Sequence, residues 1–177
     1  MRTGVRLGVD VGSVRVGVAA CDPGAVIATP VTTLDRRRDG QDLVELAALA
    51  AEREAVEIVV GLPTGLSGRP GPAARAATAY AASLASVVAP LVVRLADERF
   101  TTAAAARSLR ASGRNSRAGR VVIDQAAAVI ILQNVLDEER ATGTPPGRVI
   151  GPTGGKVAGA DDADTGGAAG GDRKART

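Results

Sequence analysis

Hydrophobic and polar residues alternate along the first part of the chain, which is typical of half-buried β-strands. Residues 5–11 carry valine and leucine at every second position, and Asp10 falls on the opposite face together with Arg6 and Gly8. A tight turn is predicted at Gly12-Ser13, after which the alternation resumes over residues 14–18. We therefore predict two antiparallel strands, followed by a third over residues 25–31 in a β-meander.

The rest of the pattern alternates between helix and strand. The predicted elements are a helix from Asp42, a strand over 57–60, a helix over 73–88, a strand over 90–96, and helices over 101–111 and 123–139. Residues 112–120 are predicted to form a basic loop between the last two helices. A meander followed by strand–helix units predicts an α/β fold, in which parallel strands extend the meander into a mixed sheet with helices packed on it.

Composition changes near residue 141 and divides the chain. The 37 residues from 141 to 177 contain ten glycines and no aromatic residue. Such a segment cannot bury enough apolar surface to offset the entropy lost on ordering. We expect one folded domain over residues 1–140 and a disordered tail over 141–177.

Several function classes are excluded by residues that the chain lacks. It has no histidine and a single cysteine, Cys21, so it cannot hold a histidine-dependent nucleophile, a zinc site with histidine ligands or an intramolecular disulfide. With one tyrosine, one phenylalanine and no tryptophan, it does not resemble proteins that stack bases on an aromatic platform. No apolar stretch reaches the roughly 18 residues of a membrane span, and the first residues do not resemble a signal peptide. We expect a cytoplasmic protein with no membrane partner.

Basic residues are concentrated in one segment of a nearly neutral chain. The net charge is +3, but the stretch from Arg99 to Arg120 contains six arginines and no acid. A solvated helix face and loop would explain this distribution, as would a surface that holds phosphates. We select Arg99, Arg114, Arg117 and Arg120 as candidate phosphate-binding residues.

Three acids are predicted to converge where the strands end. Asp10 lies near the end of the first strand, Glu98 follows the strand over 90–96, and Asp124 begins the last helix on a small, apolar stripe that must face the protein. Each has an ordinary alternative: a turn former for Asp10, a solvated or arginine-paired side chain for Glu98, and a favourable helix-terminal charge for Asp124.

Three carboxylates close together would repel one another unless cations neutralise them. Oxygen ligands without histidine or cysteine suit Mg²⁺ or Mn²⁺, and two such ions about 4 Å apart can support phosphodiester hydrolysis. A small ATP-binding domain is an alternative, because Asp10-Val11-Gly12 also resembles a phosphate motif of sugar kinases and actin-like ATPases. The length of the folded part leaves no room for their second lobe.

Several segments together resemble the YqgF-like (RuvX-like) family of Holliday junction resolvase-like proteins and pre-16S ribosomal RNA nucleases. The segments are LGVDVG at 7–12, RVGVA at 15–19, VGLP at 60–63, DERFTT at 97–102, IDQAAA at 123–128 and ILQ at 131–133. The resemblance implies an RNase H-like fold, and it implies that Asp10, Glu98 and Asp124 are both the catalytic and the metal-binding acids. The loop after residue 63 departs from the N-x-D-G pattern common in the family.

We therefore expect a nuclease dependent on Mg²⁺ or Mn²⁺ that acts on structured nucleic acid. The resemblance favours 5′-end processing of precursor 16S rRNA in ribosome biogenesis. One alternative is a resolvase of four-way DNA junctions, for which a homodimer would supply two symmetric cuts. A further alternative is a nucleic-acid-binding module without catalytic activity.

Overall fold

The structure is a computed structural model of the 177-residue chain. It describes residues 2–63, 70–97 and 117–151, and within the last range it describes side chains from Asp124 onward.

Six strands and three helices make up the described parts of the chain. In chain order they are β1 Arg6–Val11, β2 Arg15–Cys21, β3 Ala28–Asp35, α1 Gln41–Glu52, β4 Glu57–Leu62, α2 Pro72–Val87, β5 Val92–Asp97, α3 Arg117–Thr142 and β6 Arg148–Ile150. The strands form one sheet in the order β3-β2-β1-β4-β5-β6. β1, β2 and β3 form an antiparallel meander, while β4 and β5 run parallel to β1. The predicted mixed sheet is confirmed.

Helices cover both faces of the sheet and bury two separate apolar clusters. Leu7 and Val9 of β1 pack toward the face covered by α1 and α2. The alternation of the strand sends Gly8 and Asp10 to the other face, which α3 covers. A side chain at Gly8 would lie 2.6 Å from Cβ of Leu132, so α3 sits closely on β1 only because this position has no side chain.

The meander differs from its prediction at two boundaries. β3 begins at Ala28 rather than at residue 25, because the Asp22 carboxylate accepts hydrogen bonds from the main-chain N–H groups of Val26 and Ile27 at 2.8 and 2.7 Å and holds these residues in a turn. Val14, predicted to start the second strand, is 67% exposed at the turn between β1 and β2.

The C-terminal elements differ more. α3 begins at Arg117, so the prediction of a basic loop is wrong for residues 117–120. The short strand β6 lies inside the stretch predicted to be a tail, where it pairs antiparallel with β5. The predicted helix over 101–111 and residues 152–177 of the glycine-rich stretch lie outside the described residues. None of the helices in the described ranges combines the length and the apolar character that crossing a membrane requires.

Candidate active site at the carboxyl ends of the central strands

Three parallel strands end at the same edge of the sheet. Val9 of β1 lies beside Val60 of β4, and Leu62, the last residue of β4, lies beside Asp97, the last residue of β5. In open α/β sheets, ligands bind in the crevice at the carboxyl ends of the strands. Polar side chains at this edge are therefore candidates for the functional site.

Asp10 is buried at this edge, on the face covered by α3. It is the last residue but one of β1 and is 1% exposed. Its partner across the β1–β2 pair is Gly17. The Cα atoms of facing residues in an antiparallel pair lie about 5 Å apart, so whatever rests on Gly17 lies close to Asp10.

Asp124 is the buried acid of α3. It is 4% exposed, and Ala127, Ala128 and Ile131 of the same stripe are no more than 2% exposed, which confirms that this stripe faces the protein. Asp124 does not begin the helix as predicted, because α3 starts seven residues earlier, at Arg117. A favourable interaction with the helix dipole acts within the first turn, so the dipole does not explain an acid at this position.

The structure brings Asp10 and Asp124 together through Gly17. A Cβ atom at Gly17 would overlap the main-chain carbonyl oxygen of Asp124, so α3 rests on β2 beside Asp10. Two residues earlier on β1, a Cβ at Gly8 would meet the carbonyl oxygen of Ala128 at 2.9 Å. Two strand residues span about 7 Å and four helical residues about 6 Å. The step from Asp10 to Gly8 on β1 therefore has nearly the same length as the step from Asp124 to Ala128 on α3, and the helix stays in contact with the strand.

Arg15 is a member of the site that the sequence analysis did not select. It opens β2, and its Nε donates a hydrogen bond to Oδ2 of Asp124 at 2.8 Å, with 18% of the Arg15 side chain exposed. The signal was available, because the alternation that buries Val16 and Val18 on one face places Arg15 on the other, with Gly17.

The remaining predicted residues are described incompletely. Glu98 follows Asp97, the last described residue of β5, and lies outside the described residues, as do Arg99 and Arg114. Arg117 and Arg120 lie in the first turns of α3, a segment whose side chains the structure does not describe. Among the described residues, no group of three or more histidine, cysteine, aspartate or glutamate side chains could hold a metal ion.

The described donors nevertheless suit a hard divalent cation. Asp10 and Asp124 supply carboxylate oxygens from two elements that the glycine contacts hold side by side, and both are almost fully buried. Oxygen donors of this kind are the usual ligands of Mg²⁺ and Mn²⁺. Neighbouring buried carboxylates are also disfavoured by mutual repulsion, which a bound cation relieves.

Comparison with protein families identifies the chain. A family model described as "RuvX: Holliday junction resolvase" matches residues 4–138. The chain belongs to the RuvX family. This is the family that the sequence motifs resemble, so the predicted family is confirmed.

Two bacterial relatives support this membership of the RuvX family. A Streptomyces coelicolor protein provisionally named pre-16S rRNA nuclease is 54% identical over 150 residues, which cover 85% of this chain and 90% of that protein. A Mycolicibacterium paratuberculosis protein with the same provisional name is 59% identical over 138 residues, covering 78% of this chain and 83% of that protein.

Among solved structures, the chain is similar in fold to Thermus thermophilus RuvC in complex with a Holliday junction substrate. The TM-score is 0.50 at 12% sequence identity, and the match covers 78% of this RuvX-family chain and 97% of RuvC. The likeness confirms the predicted RNase H-like fold.

Proposed function

We propose that this protein is a divalent-cation-dependent nuclease that trims the 5′ end of precursor 16S rRNA in the cytoplasm, as a step of ribosome biogenesis. The observation that supports the proposal is the burial of Asp10 and Asp124 at the carboxyl ends of the central strands, where the main chain of Asp124 meets Gly17, the strand partner of Asp10. Family membership supports the reaction class, and the provisional names of the relatives support the substrate.

Asp10, Glu98 and Asp124 would hold Mg²⁺ or Mn²⁺. When bound, the ion supplies an activated water and stabilises the charge that develops on the phosphate. In this proposal Asp10 would lie between the other two acids, and Glu98 would reach across β4, which separates β1 from β5. Two strand spacings are about 10 Å. Gly61 of β4 lies between β1 and β5 and carries no side chain.

The arginines would position the nucleic acid. Arg15 fixes the Asp124 carboxylate through its Nε, and its guanidinium nitrogens suit a phosphate oxygen of the substrate. Arg99, Arg114, Arg117 and Arg120 would hold further backbone phosphates, which orient the strand without reading its sequence.

The experiment compares two labelled substrates side by side, a precursor 16S rRNA fragment and a four-way DNA junction, with Mg²⁺ and with Mn²⁺, and maps the product ends. We expect a new 5′ end on the RNA with the parent protein. Asp10→Asn should slow cleavage by about 10³-fold or more, since removing one group that stabilises transition-state charge commonly has an effect of this order.

The matched control is Asp137→Asn, an exposed aspartate on the same helix as Asp124. It should cut at the parent rate, and both variants should bind the RNA. Parent-level cleavage by Asp10→Asn would refute the assignment of the acid. Tight RNA binding without cleavage by the parent protein in either metal would favour the non-catalytic module instead.

Cleavage of four-way DNA junctions is the second candidate. The description of the family model names this activity, and the chain shares its fold with RuvC. In this case the protein would act as a homodimer that makes two symmetric cuts. Paired nicks in opposite strands of the junction, with the rRNA precursor left intact, would decide in its favour.

A further inference from the structure

A basic groove lies at the edge of the sheet where the parallel strands end, on the face opposite to Asp10 and Asp124. It has a volume of about 320 Å³ and lies between the connection from β3 to α1 and the middle of α2. Arg36, Arg37 and Arg38 line one side, and Tyr80 and Ser83 of α2 line the other. The proposed reaction uses none of these residues.

The groove carries the only run of three consecutive basic residues in the chain. Arg37 is 56% exposed at its rim and lies 3.8 Å from the Asp39 carboxylate, which is 65% exposed. An ion pair this exposed is weak and can be exchanged for a phosphate. Arg38 is exposed as well. The two rim arginines therefore offer their charge to a ligand.

Arg36 is held in place as the wall of the groove. Its guanidinium lies over the Tyr80 ring, 4.8 Å from the ring centroid, and its Nε lies 3.8 Å from Oδ2 of Asp42, which is 1% exposed. Burial, and then the nearby Asp42 carboxylate, hold the pKa of Tyr80 above its usual value, so the hydroxyl keeps its proton. A prearranged arginine loses less conformational freedom when it binds an anion than a mobile one.

Arg36 also connects the groove to the candidate active site. Its Nη1 donates a hydrogen bond to the carbonyl oxygen of Gly12 at 3.3 Å, and its main-chain N–H bonds to the carbonyl oxygen of Val14 at 2.7 Å. Gly12 follows the last residue of β1 and is two residues beyond Asp10 in the chain, a step of about 7 Å. The groove and the acids therefore lie on the two sides of the turn between β1 and β2.

We propose that this groove binds backbone phosphates of the nucleic acid whose scissile bond lies at Asp10 and Asp124, as the strand passes around the turn between β1 and β2. This inference rests on the proposed function for the identity of the ligand. Arg37 and Arg38 contact the phosphates, and Arg36 orients the groove. The Asp42 carboxylate offsets the charge of Arg36, which leaves the net positive charge at the rim.

The test measures binding to a fluorescent precursor rRNA fragment by anisotropy between 50 and 250 mM salt. All proteins carry Asp10→Asn so that the RNA stays intact. The groove variant adds Arg37→Gln and Arg38→Gln. If both residues contact single-stranded phosphates, the slope of log Kd against log salt should fall by about 1.4, since each contact contributes about 0.7.

The matched control adds Arg53→Gln and Arg148→Gln, which remove the same charge from two exposed positions away from the groove. It should keep the parent slope. Equal slopes in the groove and control variants, or an absence of RNA binding by all of them, would overturn the proposal.

Inorganic phosphate serves as a second probe, read as a shift in melting temperature. Stabilisation by phosphate that the groove variant loses, with an unchanged RNA slope, would assign the groove to a free anion and overturn the proposal. If the parent chain without Asp10→Asn cuts no RNA but the slope falls as expected, the nuclease assignment fails and the groove stands.

Discussion

The two ends of β1 both bury charge, but they do so in different ways. At the amino end, Arg6 is fully buried, with its Nε 3.4 Å from Oε2 of Glu57 and its Nη2 3.5 Å from Oε1 of Glu139. At the carboxyl end, Asp10 and Asp124 are buried acids, and Arg15 donates a hydrogen bond to Asp124. The amino end thus has a dense network of ion pairs, and the carboxyl end gathers acids.

The network at the amino end joins three arginines to two glutamates. Arg94 donates its Nε to Oε1 of Glu57 at 2.8 Å, and Arg2 bonds both Glu57 and Glu139 at 2.9 and 3.0 Å. The hydrogen bond from Arg2 is the largest influence on Glu139 and lowers the pKa of its carboxyl group to about 2. Every carboxylate oxygen of this pair of glutamates has an arginine partner within 3.0 Å.

The difference separates a structural use of buried charge from a chemical one. A buried ion pair in good geometry is stable as long as it is intact, and the protein loses much stability when one member is removed. Acids grouped at a strand edge can hold a cation. Substitutions at the amino end should therefore change stability, whereas substitutions at the carboxyl end should change activity.

The largest expected effect is that of Glu57→Gln on stability. The change leaves Arg6 buried without one of its carboxylate partners, which should lower the free energy of unfolding by about 3–5 kcal/mol. At about 2–4 °C per kcal/mol, the melting temperature should fall by roughly 6–20 °C. Thermal and urea unfolding measure the loss, and cleavage at low temperature should match the parent rate.

The control for this effect is Glu45→Gln, an exposed residue of α1, which should change stability by less than about 0.5 kcal/mol. Asp10→Asn provides the opposite case and should leave the unfolding free energy unchanged or raise it. A Glu57→Gln protein as stable as its control would contradict the distinction between the two ends.

The next largest effect is expected for Gly17→Ala, which should lower both the stability of the fold and the rate of cleavage. The added methyl group would push the Asp124 carbonyl, and α3 with it, away from β2. We expect a loss of about 1–3 kcal/mol from overpacking. Cleavage should slow by about 10²-fold, because a misplacement of about 1 Å is enough for such a loss.

Gly71→Ala is the control, since no atom lies within 4 Å of the position that its Cβ would take. Parent-level cleavage by Gly17→Ala would show that the approach of α3 does not set the geometry of the acids.

The last effect concerns acid stability. The folded-state pKa of Glu139, about 2, lies below the ordinary value of 4.5. Ionised Glu139 therefore stabilises the fold fully above about pH 4.5, and this contribution is lost as the pH falls toward 2. Glu139→Gln should weaken the dependence of the unfolding free energy on pH over that range, while Glu138→Gln at the exposed neighbouring position should not. Parallel pH curves for the two variants would disprove the assignment.

Local patterns predicted those parts of the molecule that depend on sequence neighbours. Alternation in β1 placed Asp10 on the face of Gly8, and the small-residue stripe of α3 turned Asp124 toward the protein. The ends of the parallel strands then placed Asp10 at the edge where ligands bind. The role of Arg15 needed only the same alternation and was overlooked.

Other features depend on distant partners and leave no local signal. Arg2 and Glu139 are 137 positions apart, and nothing in either neighbourhood indicates the pair. β6 has three residues, too few for a periodic pattern, and it forms because β5 offers an unpaired edge. The overlap that Gly17 avoids also appears only when helix and sheet are packed together.

Gly8 and Gly17 make the spacing of the acids a property of the main chain. Two hydrogen atoms, where other residues carry a side chain, allow the helix to settle against the sheet at one fixed depth. The separation of the main chains that carry two acids more than a hundred residues apart in sequence is then set by close contact of helix and sheet at these glycines. Engineering for new substrates should keep both glycines and vary Arg37 and Arg38 at the rim of the basic groove.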